Sequence, residues 1–68
     1  MINKGLSEKH QSVLNALGDK HLSSFELFKK VDNISIILSL YSVIDDLNSM
    51  GLLNSYKKQN ERYHYINN

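Results

Sequence analysis

The stretch from Ser35 to Leu53 constrains this chain most, because it carries the longest helical pattern in the sequence. Ile36, Ile37, Leu40, Val43, Ile44, Leu47 and Met50 recur at spacings of three and four, which stacks them on one stripe of a helix. Ser35 is placed to cap that helix by accepting a hydrogen bond from an early backbone N–H. Gly51 stands where the chain must turn left-handed to leave it. Leu52 and Leu53 then lead into a β-like segment. A helix over about 35–50 running into a hairpin over 53–66 is the reading.

The outer face of the same helix has its own character. Winding it at about 100° per residue turns Ser35, Leu38, Ser39, Ser42, Asp45, Asp46 and Ser49 away from the core, with Tyr41 at the border. No Lys or Arg occurs between Ile34 and Tyr56. A helix of this composition brings two carboxylates and no cation to whatever it meets.

Length and composition narrow the rest. A chain of 68 residues is expected to form one domain, 1–68, with a small core, since chains this short bury only about 60% of their unfolded surface. Cysteine is absent, which excludes disulfides, zinc ribbons and thiol catalysis. No apolar run approaches the roughly 20 residues of a membrane span, and no stretch resembles a signal peptide, so a soluble cytoplasmic protein without a membrane partner is expected. The net charge of +1 neither demands nor forbids nucleic acid.

Ahead of the long helix, Ile2 and Leu6 are candidates to pack on the body. Ser7 is an N-cap with Glu8 in the first turn, and His10, Val13, Leu14 and Leu17 repeat on one face until Gly18 ends the first helix. Leu22 is placed for a short strand. Ser23-Ser24-Phe25-Glu26 reads as a capping box opening a second helix, with Leu27, Phe28 and Val31 inward and Lys29 and Lys30 outward. Asp32-Asn33-Ile34 is a tight turn with Ile34 as its apolar plug. Beyond Gly51, Lys58-Gln59-Asn60 forms a hairpin tip in which Asn60 tolerates positive φ. The return strand carries Tyr63 and Tyr65, which should share a face. The order helix, strand, helix, helix, hairpin predicts a mainly α fold with a small β-hairpin, the winged helix-turn-helix of three helices plus a wing.

Several segments resemble the DNA-binding half of the ferric uptake regulator family. His21-Leu22-Ser23-Ser24-Phe25-Glu26-Leu27-Phe28 resembles its H-[VL]-S-A-x-[ED]-L-Y segment, and Ser39-Leu40-Tyr41-Ser42-Val43-Ile44 its T-V-Y-R-x-L recognition-helix motif. Met50-Gly51-Leu52-Leu53 and Arg62-Tyr63 match its G-[LI]-[IV] and R-Y-E landmarks. Asp45 to Leu53 is also similar to the looser D-x-L-x-x-x-G-L-[IV] pattern of Marr-type repressors. The resemblance spans roughly residues 7 to 66 and implies that Tyr41 contacts bases, while the arginine expected beside it is Ser42. It also aligns His21 and His64 with family metal ligands.

Each candidate has a plainer counterpart. Leu38 and Tyr41 are either scattered surface apolars or a contact surface for thymine methyls or a partner protein. Lys57, Lys58 and Arg62 are either an ordinary solvated hairpin or a wing that holds phosphate. His10 reads as half-buried packing. Two histidines supply at most half of a tetrahedral metal site and no cysteine completes it, so no metal or other cofactor is expected. Asp45 and Asp46 read as solvated charge, because adjacent helical residues point about 100° apart. No P-loop, dinucleotide fingerprint or nucleophile motif is present, and the chain is not expected to be an enzyme.

Two functions follow. The first is a small regulator of transcription binding double-stranded DNA, with Ser35, Leu38, Ser39, Tyr41 and Ser42 in the major groove and Lys57, Lys58 and Arg62 on phosphate. The second is a protein-interaction module using the same helix or the hairpin. A homodimer would have to use the first helix, the termini or the wing.

Overall fold

The computed structural model describes residues 6–67, and the element order is helix, strand, helix, helix, hairpin. Helix α1 spans Glu8–Leu17, strand β1 Leu22–Ser23, helix α2 Ser24–Lys30, helix α3 Ile37–Ser49, strand β2 Leu53–Lys58 and strand β3 Glu61–Ile66. Local signals in the sequence set most of these boundaries. Ser7 caps α1 in a box completed by His10, and Gly18 leaves the helix at φ 55°. Ser23 and Glu26 form the expected reciprocal box at the start of α2, with bonds of 3.1 and 3.0 Å. Gly51 leaves α3 at φ 77°, a conformation that favours glycine.

The start of α3 departs from the sequence reading. Ile36, not Ser35, is the N-cap, and no side chain caps the helix. Buried Ile34 pins the turn, and the chain then runs extended through Ile36 (φ −120°, ψ 124°) before it coils. Ile36 therefore lies outside the helix and is 61% exposed, rather than leading the apolar stripe. At the other end Met50 is also exposed, just past the last helical turn.

The three strands form one antiparallel sheet in the order β1-β3-β2. β2 and β3 pair from Leu53 with Ile66 to Lys58 with Glu61, so the wing tip is the two-residue turn Gln59-Asn60. Both residues have positive φ, as the turn that matches strand twist requires. β1 adds Leu22 opposite His64 and Ser23 opposite Tyr63.

One core joins both layers. Val13 and Leu17 of α1, Leu27 of α2, Leu40, Val43, Ile44 and Leu47 of α3, and Leu22 and Leu53 of the sheet are buried together with Val31 and Ile34. Leu6, Leu14, Phe28 and Ile66 pack against it partly buried. Ile2 lies outside the described residues. Among the described residues, no helix is long and apolar enough to cross a membrane.

Candidate nucleic-acid interface

The start of α2, one flank of α3 and the tip of the wing enclose an open groove of about 510 Å³, lined among others by Ser24, Phe25, Tyr41, Asp45, Asn60 and Arg62. Helical phase determines which α3 residues reach it. With Leu40, Val43, Ile44 and Leu47 inward, Ile37, Tyr41 and Asp45 follow one another at i, i+4 and i+8 along the groove side. Leu38, 70% exposed, and exposed Ser42 form the outermost row. Ser39 is half-buried and turned about 160° from Tyr41, onto the flank that faces α1. Ser35 is exposed in the turn before the helix. Five residues expected on one reading surface thus divide among a groove side, an outer row, an opposite flank and a preceding turn.

The wing residues divide in the same way. Register and strand alternation place Lys57 and Arg62 opposite each other on the face shared with Ser55 and His64. Lys58 and Glu61 pair on the other face, beside Tyr56 and Tyr63. All three cations are exposed, and among the described residues none forms an ion pair. Arg62 lines the groove, Lys57 stands opposite it on the same face of the wing, and Lys58 lies on the other face.

Under the groove lies a buried polar network that sequence reasoning missed. His64 is 1% exposed, with Nε2 2.7 Å from Ser24 Oγ and Nδ1 2.7 Å from Ser55 Oγ. Asn48 Nδ2 donates to the Ile44 carbonyl at 3.1 Å and to Ser55 Oγ at 3.3 Å. Burial, and secondarily the Arg62 guanidinium, push the His64 imidazole down to about 4 from its usual 6.5. The available signal was strand alternation, which puts Arg62, His64 and Ile66 on one face and Ser55 across from His64. A histidine so placed is inward whatever its polarity.

His21 belongs to a different surface. Its ring stacks on Tyr65 at 4.5 Å and its Nδ1 lies 2.9 Å from the Tyr56 hydroxyl, in an aromatic cluster that Tyr63 extends through its stack on Tyr56. Partial burial, then Glu61 and Glu26, raise the Tyr63 phenol above its ordinary value. β1 pairs Leu22 with His64, so His21 and His64 point to opposite faces of the sheet. The alignment of both with family metal ligands therefore does not bring them together. Among the described residues no group of three or more His, Asp or Glu converges as a metal site.

Asp46 and His10 also differ from the reading of solvated charge and simple packing. His10 Nε2 meets Asp46 Oδ2 at 3.0 Å, tying α1 to the flank of α3 opposite the groove. Asp45 remains exposed along the groove.

No protein-family model and no curated protein matches the sequence. Among solved structures, the chain is similar to reduced HlyU from Vibrio cholerae, with a TM-score of 0.83 and 24% identity over 96% of this chain and 67% of that one. The likeness shows a winged-helix fold, in keeping with the element order and the three-stranded sheet of this chain.

Proposed function

We propose that this chain binds double-stranded DNA as a small transcriptional regulator, with α3 in the major groove and the wing on the phosphate backbone. The supporting observation is that Tyr41 of α3 and Arg62 of the wing line the same open groove. One nucleic-acid strand can therefore meet a base-reading ring and a cation at once. Tyr41 and Leu38 supply apolar contacts for thymine methyls, Ser35 and Ser42 hydroxyls at the helix edge, and Lys57, Lys58 and Arg62 the charge. The segments similar to the ferric uptake regulator family support the same use of Tyr41. Ser39, on the opposite flank, is the weakest member of the set.

A second reading has its own support. Phe25, Leu38 and Tyr41 are 61, 70 and 43% exposed, α3 carries no cation, and Asp45 borders the groove. An apolar, faintly acidic face of this kind suits a protein partner, including a second copy of the chain.

Binding to duplex DNA measured across salt concentrations separates the two. Two or three phosphate contacts give a log K that falls with log[salt] by about 0.9 per contact. DNA selected from a random pool should bind more tightly than bulk DNA. Absence of binding at low salt, or equal affinity for selected and random duplexes with no effect of wing substitutions, rejects the DNA reading and leaves the protein partner.

A further inference from the structure

We infer that Ser24 is a phosphate-contacting hydroxyl of this groove, its proton turned outward by a one-way hydrogen-bond chain from Asn48 through Ser55 and His64. The inference rests on the DNA reading above and adds a residue and a mechanism to it.

The direction of the chain follows from its first member. The Ile44 carbonyl can only accept, so the Asn48 atom 3.1 Å from it is the amide nitrogen. The same nitrogen donates to Ser55 Oγ at 3.3 Å. Ser55, accepting there, has His64 Nδ1 at 2.7 Å as the partner for its own hydrogen. Nδ1 is then an acceptor, and a neutral imidazole carries its one proton on Nε2. That N–H donates to Ser24 Oγ at 2.7 Å. Ser24, accepting from the imidazole, directs its hydrogen away from it, and the side chain lines the groove beside Arg62.

The opposite direction is less favourable. Ser55 Oγ would accept from both Asn48 and His64, leaving its own hydrogen without the His64 partner in a part-buried site, which carries a desolvation cost. The outward direction also assigns Ser24 a role. An imidazole that donates to the hydroxyl cannot remove its proton, so Ser24 and His64 do not form a nucleophile and base despite their 2.7 Å contact. They form a fixed donor instead. Asp45 also lines the groove and opposes an anion, so a phosphate oxygen there depends on Arg62 and on neutral donors. A hydroxyl held by a buried histidine is oriented before the DNA arrives, which limits the ordering cost of the contact.

Two measurements test this. Long-range proton–nitrogen NMR of the intact chain at about pH 7 should show His64 protonated on Nε2 and bare on Nδ1. The Nδ1–H form overturns the inference whatever the DNA result. In duplex binding across salt, Ser24→Ala should lower affinity roughly three- to tenfold. The slope against log[salt] should not change, because a hydroxyl releases no counterion. Ser24→Thr, which keeps the hydroxyl, should bind close to the parent. An alanine variant that binds like the parent overturns the contact while the DNA reading stands. A parent chain that binds no duplex overturns both.

Discussion

His10 Nε2 lies 3.0 Å from Asp46 Oδ2, while Nδ1 of the same ring accepts from the Ser7 backbone N–H at 3.1 Å. One imidazole therefore completes the cap of α1 and ties that helix to α3. The two halves differ in worth, because the Asp46 side chain is 55% exposed and its bond is weakened by solvent. His10→Ala should cost about 1–2 kcal/mol, most of it from the cap. Asp46→Ala should cost less than about 1 kcal/mol. Urea denaturation of both variants checks this, and equal losses would mean that the cap contributes nothing.

Leu47 is fully buried where α3 meets the rest of the core, so Leu47→Ala should destabilise by about 2–5 kcal/mol, enough to threaten a domain of this size. Ile36→Ala, at a position equally apolar in sequence but 61% exposed, should stay within about 0.5 kcal/mol of the parent. Thermal or urea melts of the pair distinguish the core face from the sequence stripe.

His64 links the stability of the fold to acid pH through one buried ring. The folded chain protonates it only near pH 4, whereas the unfolded chain does so at the ordinary 6.5. Between those values the unfolded state binds more protons, so stability is fully present above 6.5 and falls as the pH drops toward about 4. The loss is at most about 3 kcal/mol, less after solvent screening. His64→Gln, which cannot titrate, should start less stable and show a flatter acid limb in melts taken from neutral pH downward.

Wing register separates two neighbouring lysines. Lys57 shares the groove face with Arg62, whereas Lys58 pairs with Glu61 on the other side. Lys57→Ala should therefore weaken DNA binding more than Lys58→Ala, and for all sequences alike, because phosphate contacts carry no sequence information. Tyr41→Ala should instead erode discrimination between sites by about 1–3 kcal/mol. Asp45→Asn should tighten binding by removing a carboxylate from the groove. Competition between selected and random duplexes reads all four variants.

Zinc should leave the melting temperature unchanged at micromolar concentration. Both His64 nitrogens are held by serine hydroxyls and His21 lies on the other face of the sheet. A ligand that binds the native state must stabilise it by mass action. A rise abolished by His21→Ala and His64→Ala would show a metal site that this sheet geometry does not predict.

Much of the architecture was determined by local chemistry in the sequence. The box of Ser23 and Glu26, the left-handed exit at Gly51, the plug at Ile34 and the apolar spacing from Leu40 to Leu47 each act within a turn or two of chain. Such signals are readable because the groups that satisfy them are sequence neighbours. Tertiary structure decided the rest. Ser35 could have capped α3, but the pinned turn at Ile34 carries the chain one residue further before it coils, which moves the cap to Ile36 and leaves that side chain exposed. His64 looked like a possible partner for His21 until β1 paired with β3 and set the two on opposite faces. The groove exists only because wing, α2 and α3 converge, bringing Ser24, Tyr41 and Arg62 together across the chain. Periodicity specifies which face a residue takes on its own element, but what that face meets depends on long-range packing.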